Sequence, residues 1–305
     1  MSVTDINAKC EVIEMRVLVT GASGWIGSAV VDELVAAGHD VVGLARSDSS
    51  AAIVAEKGAT VLRGDLDDLD SLRRGAAEAD ATVHLANKHD FANPAESNRA
   101  ERAAVEAIGE ILIGSDRPLV LASGVLAGET EPSPFVGPDS MRGGSENRAF
   151  DFVDQGVRAI AVRFAPTVHG RRDHGFIAVI TDVARRTGVS AYIGDGSNAW
   201  AAVHRSDAAR LVRLGLEQAP PGARLHAVAE DGVATRVIAE TIGARLGLPV
   251  ASVAPEDAVD HFGFIGQFFG RDMSSASTLT RATYGWEPTG PTLAEDIAAG
   301  AYDVS

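Results

Sequence analysis

Gly21, Gly24 and Gly27 stand between an apolar run at residues 15–20 (MRVLVT) and an amphipathic stretch that continues to residue 37. Glycine at these spacings permits a tight turn, leaves backbone open to a pyrophosphate, and lets the following helix pack closely on the strand before it. The unsatisfied N–H groups and positive dipole end of that helix would then face phosphate oxygens, with Gly21, Ser23, Gly24, Trp25, Ile26 and Gly27 forming the turn. A glycine triplet alone is common; its place between strand and helix makes it informative. A second pair, Arg46-Ser47, closes the next apolar run, residues 40–45 (DVVGLA). An acidic residue there would hold the adenosine ribose hydroxyls, whereas an arginine beside a small hydroxyl residue suits a 2′-phosphate, so Arg46 and Ser47 point to NADP. Further on, Ser123 and His169 each follow an apolar run. Ser123 offers a hydroxyl donor, and His169 a ring that titrates near neutrality.

These residues need a scaffold that brings strand ends to one edge. Strand patterns at 59–63, 81–86, 119–122 and 157–164 alternate with helical patterns at 51–58, 69–77 and 94–113, and prolines 132, 134 and 138 precede a helix expected over 139–155. That alternation predicts a doubly wound parallel α/β Rossmann sheet with its ligand crevice outside the carboxyl ends of the strands. Asp65 and Leu66 would flank the adenine, Asn87 opens the loop after the fourth strand, and Ser123 ends the fifth. His84, inside the fourth strand, reads as packed core. Beyond Gly170 the regularity gives way to helices, short strands and glycine turns, which predicts a smaller, mostly C-terminal α/β substrate lobe over 171–305. Residues 225–228 should return to the main sheet. Residues 1–14 carry no strong pattern and read as a flexible extension, leaving 15–170 as the NADP-binding domain. Phe262, Phe264, Phe268, Phe269 and Trp286 either line a substrate pocket or fill core.

Composition narrows the partners. A net charge of -15 would repel a polyanion or an anionic membrane surface, so nucleic acid and lipid are poor partners and a small-molecule substrate is the better expectation. Cys10 is the only cysteine, which excludes a disulfide within the chain and a cysteine metal cluster. No metal site is expected. No apolar run reaches the roughly 18 residues of a membrane span, the N-terminus lacks a basic-then-apolar export signal, and a reducing cytoplasm fits best. A homodimer remains open.

The ordered set VTGASGWIG, Arg46, Asp65-Leu66, VHLA, Ser123, RFAPTVHG and AAVHRSDAARL resembles an extended or atypical short-chain dehydrogenase/reductase of the NAD-dependent epimerase/dehydratase group, over nearly the whole chain. The resemblance implies that the nicotinamide end rests near the segment after strand six, at Pro166, Val168 and His169. It also maps the strand-four end to Leu85, Ala86 and Asn87, and the family serine to Ser123. One departure stands out: the family pairs a tyrosine with a lysine four residues later, whereas the tyrosines here are Tyr192, Tyr284 and Tyr302 and the lysines Lys9, Lys57 and Lys88. Registering Glu146 against the acidic residue often found beyond the family lysine puts Pro138 at the tyrosine position and Arg142 at the lysine position. A shifted register uses Met141 and Ser145. Neither restores the acid.

A carbonyl that accepts hydride becomes an alkoxide, and a positioned donor must supply a proton or stabilise the charge. Ser123 can polarise the carbonyl and Arg142 can supply the cation, but arginine stays charged and does not serve as a practical acid. His169 is therefore the first candidate donor, set against a histidine that merely packs beside the cofactor; His174 and Tyr192 follow. The expected activity is NADP-dependent reduction of a small or medium organic carbonyl by hydride transfer. The alternatives are a non-catalytic NADP-binding redox sensor and, ranked lower because its chemistry leans on the missing pair, a sugar-nucleotide epimerase or dehydratase.

Overall fold

A computed structural model of the chain describes residues 14–90, 93–125, 130–138 and 143–303. Its first half runs β1 (Arg16–Thr20), α1 (Trp25–Ala36), β2 (Asp40–Ala45), α2 (Asp48–Glu56), β3 (Thr60–Arg63), α3 (Leu69–Glu78), β4 (Ala81–His84), α4 (Pro94–Leu112), β5 (Pro118–Gly124), α5 (Gly143–Phe150) and β6 (Arg158–Phe164). The second half continues with β7 (Thr167–His169), α6 (Phe176–Thr187), β8 (Ser190–Ile193), β9 (Ala199–His204), α7 (Arg205–Gln218), β10 (Arg224–Ala227), β11 (Glu230–Ala234), α8 (Thr235–Leu246) and β12 (Val250–Val253). Four short helices close it: α9 (Ala258–Phe262), α10 (Gly266–Phe269), α11 (Thr278–Tyr284) and α12 (Leu293–Ala298).

Seven parallel strands form the main sheet in the order β10-β6-β5-β4-β1-β2-β3. The chain winds one way from β1 to β3 and the other way from β4 onward, so the carboxyl ends of β1 and β4 border the crevice where such sheets take ligands. Val17, Val19, Val83, Val120, Ile160 and Val162 pack under α1 and α7, while Leu18, Leu119, Leu121, Ala159 and Ala161 pack under α3, α4 and α5. Burial on both faces explains why these strands read as continuous apolar runs. A second core joins α6, β8, β9, α8 and the short C-terminal helices around Trp200, Phe262 and Phe269. There β7 pairs with β9 in parallel, and β11 pairs with β9 antiparallel. Trp286 belongs to the main core and Phe264 and Phe268 are partly exposed, so the five aromatics do not line one pocket. No helix among the described residues is long and apolar enough to cross a membrane.

Several boundaries differ from expectation. Helix α2 starts at Asp48 rather than residue 51, because the Ser47 hydroxyl accepts the Ser50 N–H and caps it three residues earlier. Strand β5 runs past Ala122 to include Ser123 and Gly124. Of the helix expected over 139–155, the described residues are helical from Gly143 to Phe150, followed by a 3-10 turn at Val153–Gln155. The chain leaves the helix so that Phe152 packs against the space left by Gly109 of α4. Residues 139–142 and the expected extension before residue 14 lie outside the described residues.

Helix α1 meets β1 through glycine. A Cβ on Gly27 would collide with the Gly21 carbonyl oxygen, whereas one on Gly124 would meet nothing within 4 Å. Gly27→Ala should therefore destabilise the protein by about 1–3 kcal/mol in urea unfolding, the usual cost of overpacking, and Gly124→Ala should leave the midpoint nearly unchanged. Equal midpoints for the two variants would refute the close-approach argument.

Candidate active site

The glycine turn is stitched to β4 by one hydroxyl. Thr20 Oγ1 accepts N–H bonds from Leu85 and Ala86, each at 3.2 Å, so its own proton goes to His84 Nδ1 at 2.9 Å. His84 is thus a buried tie between strands, as its place inside β4 suggested. Gly21 takes a φ of +69°, and a Cβ there would come within 2.9 Å of the Leu85 and Ala86 backbone. Gly24 then caps α1 with no side-chain hydrogen bond, and no acidic residue lies in the first turn. The first-turn N–H groups are left unsatisfied by any side-chain cap, and the turn backbone is open at Gly24, which is exposed. These features fit a dinucleotide pyrophosphate.

At the adenosine side, Arg46 is exposed at the end of β2 and has no ion pair or hydrogen bond among the described residues. Beside it, Ser47 Oγ lies 2.9 Å from Ser49 Oγ and 2.8 Å from Ser50 Oγ. Asp65 turns its carboxylate back to accept the N–H groups of Asp67 and Asp68 at 2.8 and 3.0 Å, leaving the adjacent Leu66 buried. Lys88 bridges the loops after β3 and β4 through Asp67 at 2.8 Å and Glu96 at 3.2 Å, and Asn87 donates to Glu101 at 2.6 Å. Leu85, Ala86 and Asn87 are all half-buried along this rim.

The other half of the crevice contains a polar row that the sequence reading missed. Strand register sets Ser123 beside Arg163 and Arg163 beside His226, on one face of β5, β6 and β10. Glu146 of α5 reaches this row: Arg163 Nε and Nη2 donate to its two oxygens at 3.0 and 2.6 Å, and Arg224 Nε donates at 2.8 Å. The Ser123 hydroxyl lies near the same carboxylate and favours its charged form. Burial alone would raise the Glu146 pKa, but bonding to Arg163, the charge of Arg163, the bond from Arg224 and the nearby Ser123 hydroxyl together hold it below the usual glutamate range. The signal was present in the sequence as arginines interrupting buried strands, since a buried charge demands a partner. His226 is itself buried, with Nδ1 3.0 Å from the Ala276 carbonyl, and burial lowers its pKa.

The proton-donor candidates are scattered. His169 is 0% exposed and its Nδ1 lies 2.6 Å from Asp296 Oδ2 of α12, with the His204 ring in edge contact. Side chains alternate along β7: Thr167 and His169 are buried while Pro166 and Val168 are half-buried. Val168 and His169 therefore point to opposite faces of β7. Tyr192 is buried in the smaller lobe with its hydroxyl accepting from Arg236 at 2.8 Å, and Tyr302 donates to the buried Asp173 at 2.9 Å. His174 is exposed and stands edge-on to Trp25. Arg142 and Met141 lie outside the described residues; of the other register positions, Pro138 is exposed and Ser145 buried.

The seven-stranded doubly wound sheet, the glycine turn at its switch point and the serine-bearing fifth strand define a Rossmann-type protein of the short-chain dehydrogenase/reductase class. The chain belongs to the NAD dependent epimerase/dehydratase family, whose model matches residues 17–134. It is 46% identical over 294 residues, 94% of this chain and 100% of the relative, to an uncharacterized protein of Schizosaccharomyces pombe. It is 28% identical over 223 residues, 68% of this chain and 66% of the relative, to 4-hydroxy-2-methyl-3-oxo-4-farnesyl-3,4-dihydroquinoline-1-oxide ketoreductase of Stigmatella aurantiaca. In fold it resembles a dTDP-glucose 4,6-dehydratase of Streptomyces venezuelae solved with NAD bound, at a TM-score of 0.73 and 21% identity over 94% of this chain and 96% of that one.

Removing the carboxylate charge of Glu146 tests the polar row. Glu146→Gln leaves Arg163 and Arg224 without their shared anion and should cost about 3–5 kcal/mol in urea unfolding, as breaking a buried ion pair does. Because the folded-state pKa of Glu146 is lowered, its stabilisation is present above the unfolded-state pKa and is lost as pH falls through the folded value. The acid limb of melting temperature against pH should accordingly be shallower in Glu146→Gln. A parallel limb and an unchanged urea midpoint would contradict the account.

Proposed function

We propose that this protein is an NADP-dependent oxidoreductase that reduces a small or medium organic carbonyl by hydride transfer. The observation that carries the reading is the pairing of an uncapped, acid-free glycine turn with an unpaired Arg46 at the end of β2. Gly21, Ser23, Gly24, Trp25, Ile26 and Gly27 would hold the pyrophosphate, Arg46 and Ser47 the 2′-phosphate, Asp65 and Leu66 the adenine, and Leu85, Ala86, Asn87, Pro166 and Val168 the nicotinamide half. The ketoreductase relative supports reduction as the activity. A bound reduced nicotinamide supplies the hydride.

Ser123 is the residue of this chain best suited to the substrate oxygen. Its hydroxyl is not needed by Glu146, because Arg163 and Arg224 satisfy that carboxylate. Ser123 then donates to the carbonyl and stabilises the developing alkoxide. The proton is best assigned to a water hydrogen-bonded to Ser123. His169, bonded to Asp296 on the far side of β7, serves in this reading as a positioning residue that fixes Val168.

NADPH should bind at least about tenfold more tightly than NADH, the order expected for a charge-assisted bond, and Arg46→Ala should erase the difference in calorimetric titrations of both cofactors. Equal affinities in the parent would remove the NADP assignment. For whichever substrate a carbonyl panel yields, Ser123→Ala should lower kcat about 100- to 1,000-fold at unchanged NADPH affinity, and His169→Gln should keep the shape of the parent pH–rate profile. A limb lost in His169→Gln would restore that histidine as the acid.

The missing tyrosine-lysine pair favours a second reading, an NADP-binding redox sensor that does not turn over. Single-turnover oxidation of bound NADPH across the same panel separates the two: retained binding without oxidation supports the sensor.

A further inference from the structure

We propose that Arg205 is a cofactor-binding residue, a guanidinium held against the glycine turn to take the diphosphate of the dinucleotide. The inference rests on the nucleotide reading above and adds a residue from the second half of the chain to that site. Arg205 is the first residue of α7 and is half-buried. Its stem is packed on Gly170, where a Cβ would lie 3.1 Å from both Cγ and Cδ. Its guanidinium carbon stands 4.4 Å from the centroid of the Trp25 ring. Trp25 is the residue directly after Gly24, in the first turn of α1, and its ring is fixed: Nε1 donates to the Val168 carbonyl at 2.8 Å and His174 closes its edge at 5.7 Å between centroids.

Charge makes this arrangement informative. The other arginines of α7 are matched, Arg210 to Asp207 at 3.2 Å and Arg213 to Glu33 at 2.8 Å, whereas Arg205 has no ion pair or hydrogen bond among the described residues. Arg46, Arg171 and Arg172 also lack a carboxylate partner among the described residues, but they are exposed, whereas Arg205 is half-buried. Three effects disfavour it as it stands. Half-burial strips water from the charge, the N-terminus of α7 presents its own positive dipole end to it, and the N-terminus of α1 adds a second. Stacking on Trp25 offsets part of this. A diphosphate lying on the first turn of α1 would offset all three, and a planar guanidinium matches its oxygens with paired donors. Neither the glycine spacing nor Arg46 calls for this residue; it comes from the long-range contact between α7 and α1.

The test keeps the stem and removes the charge. NADPH and adenosine 2′-monophosphate, which carries the 2′-phosphate but no diphosphate, are titrated into the parent, Arg205→Met and Arg205→Lys, with far-UV circular dichroism and urea midpoints confirming folded protein. Arg205→Met should weaken NADPH about ten- to a hundredfold, leave adenosine 2′-monophosphate within about twofold, and flatten the dependence of NADPH affinity on salt. Arg205→Lys, which keeps the charge but not the planar fork, should fall between. Equal NADPH affinity in the parent and Arg205→Met overturns the proposal, as does a matching loss for adenosine 2′-monophosphate, which would mean a general distortion of the site. If Arg205→Met instead raises KM only for an anionic carbonyl substrate at unchanged NADPH affinity, the guanidinium serves the substrate and the diphosphate assignment fails. A parent that binds neither NADPH nor NADH fails at the earlier step, and the nucleotide reading goes first.

Discussion

Helix α1 can lie on β1 only because Gly27 has no side chain where the Gly21 carbonyl passes. That single close approach sets the direction in which the helix N-terminus points, and so where an anion can bind. It also sets the position of Trp25, whose indole reaches out of the first turn to Val168, His174 and Arg205. The segments expected to meet the diphosphate and the nicotinamide are therefore mechanically joined before any ligand arrives. A glycine packing constraint in the first quarter of the chain is transmitted to β7 and α7 through one aromatic side chain.

On the opposite side of the crevice the organising force is charge. Arg163 and Arg224 sit in strands that bury both faces, and neither can remain there unpaired; Glu146 supplies the shared anion and pins α5 to β5, β6 and β10. A buried ion cluster of this kind is weak evidence for high stability, since well-packed apolar residues often do as well, but removal of one member is costly. Its effect here is geometric. Ser123 is the one member with a neutral alternative, and the two arginines leave its hydroxyl dispensable to the carboxylate.

Much of the main sheet was legible because its signals are local. Apolar runs ended by Gly21, Arg46 and Asn87 mark strands whose burial requires apolar side chains on both faces, and the turn glycines declare their own backbone geometry. What escaped depends on contacts distant in sequence. The end of α5 at Phe150 is set by the packing of Phe152 on Gly109, which a helical pattern does not show. The start of α2 depends on the Ser47 hydroxyl capping the Ser50 N–H, a role that a serine beside Arg46 does not declare in the sequence. His169 drew attention for its intrinsic pKa, but its orientation is decided by the alternation of β7 and by Asp296, 127 residues away.

The absence of a tyrosine-lysine pair need not remove the reason for α5 to lie where it does. In a site that relied on such a pair, the helix would be held by the chemistry it performs; here it is held by Glu146, which answers a demand made by the sheet itself. That separation leaves α5 anchored independently of the chemistry. It also fixes which group can meet a substrate oxygen, because the arginines are committed to Glu146, His226 is turned to the Ala276 carbonyl, and His169 is committed to Asp296. Ser123 is left with a hydroxyl that can be spared. Any reduction carried out at this edge would then depend less on a strong acid than on how well Ser123 and the first turn of α1 hold substrate and nicotinamide in line, so positioning would account for most of the rate.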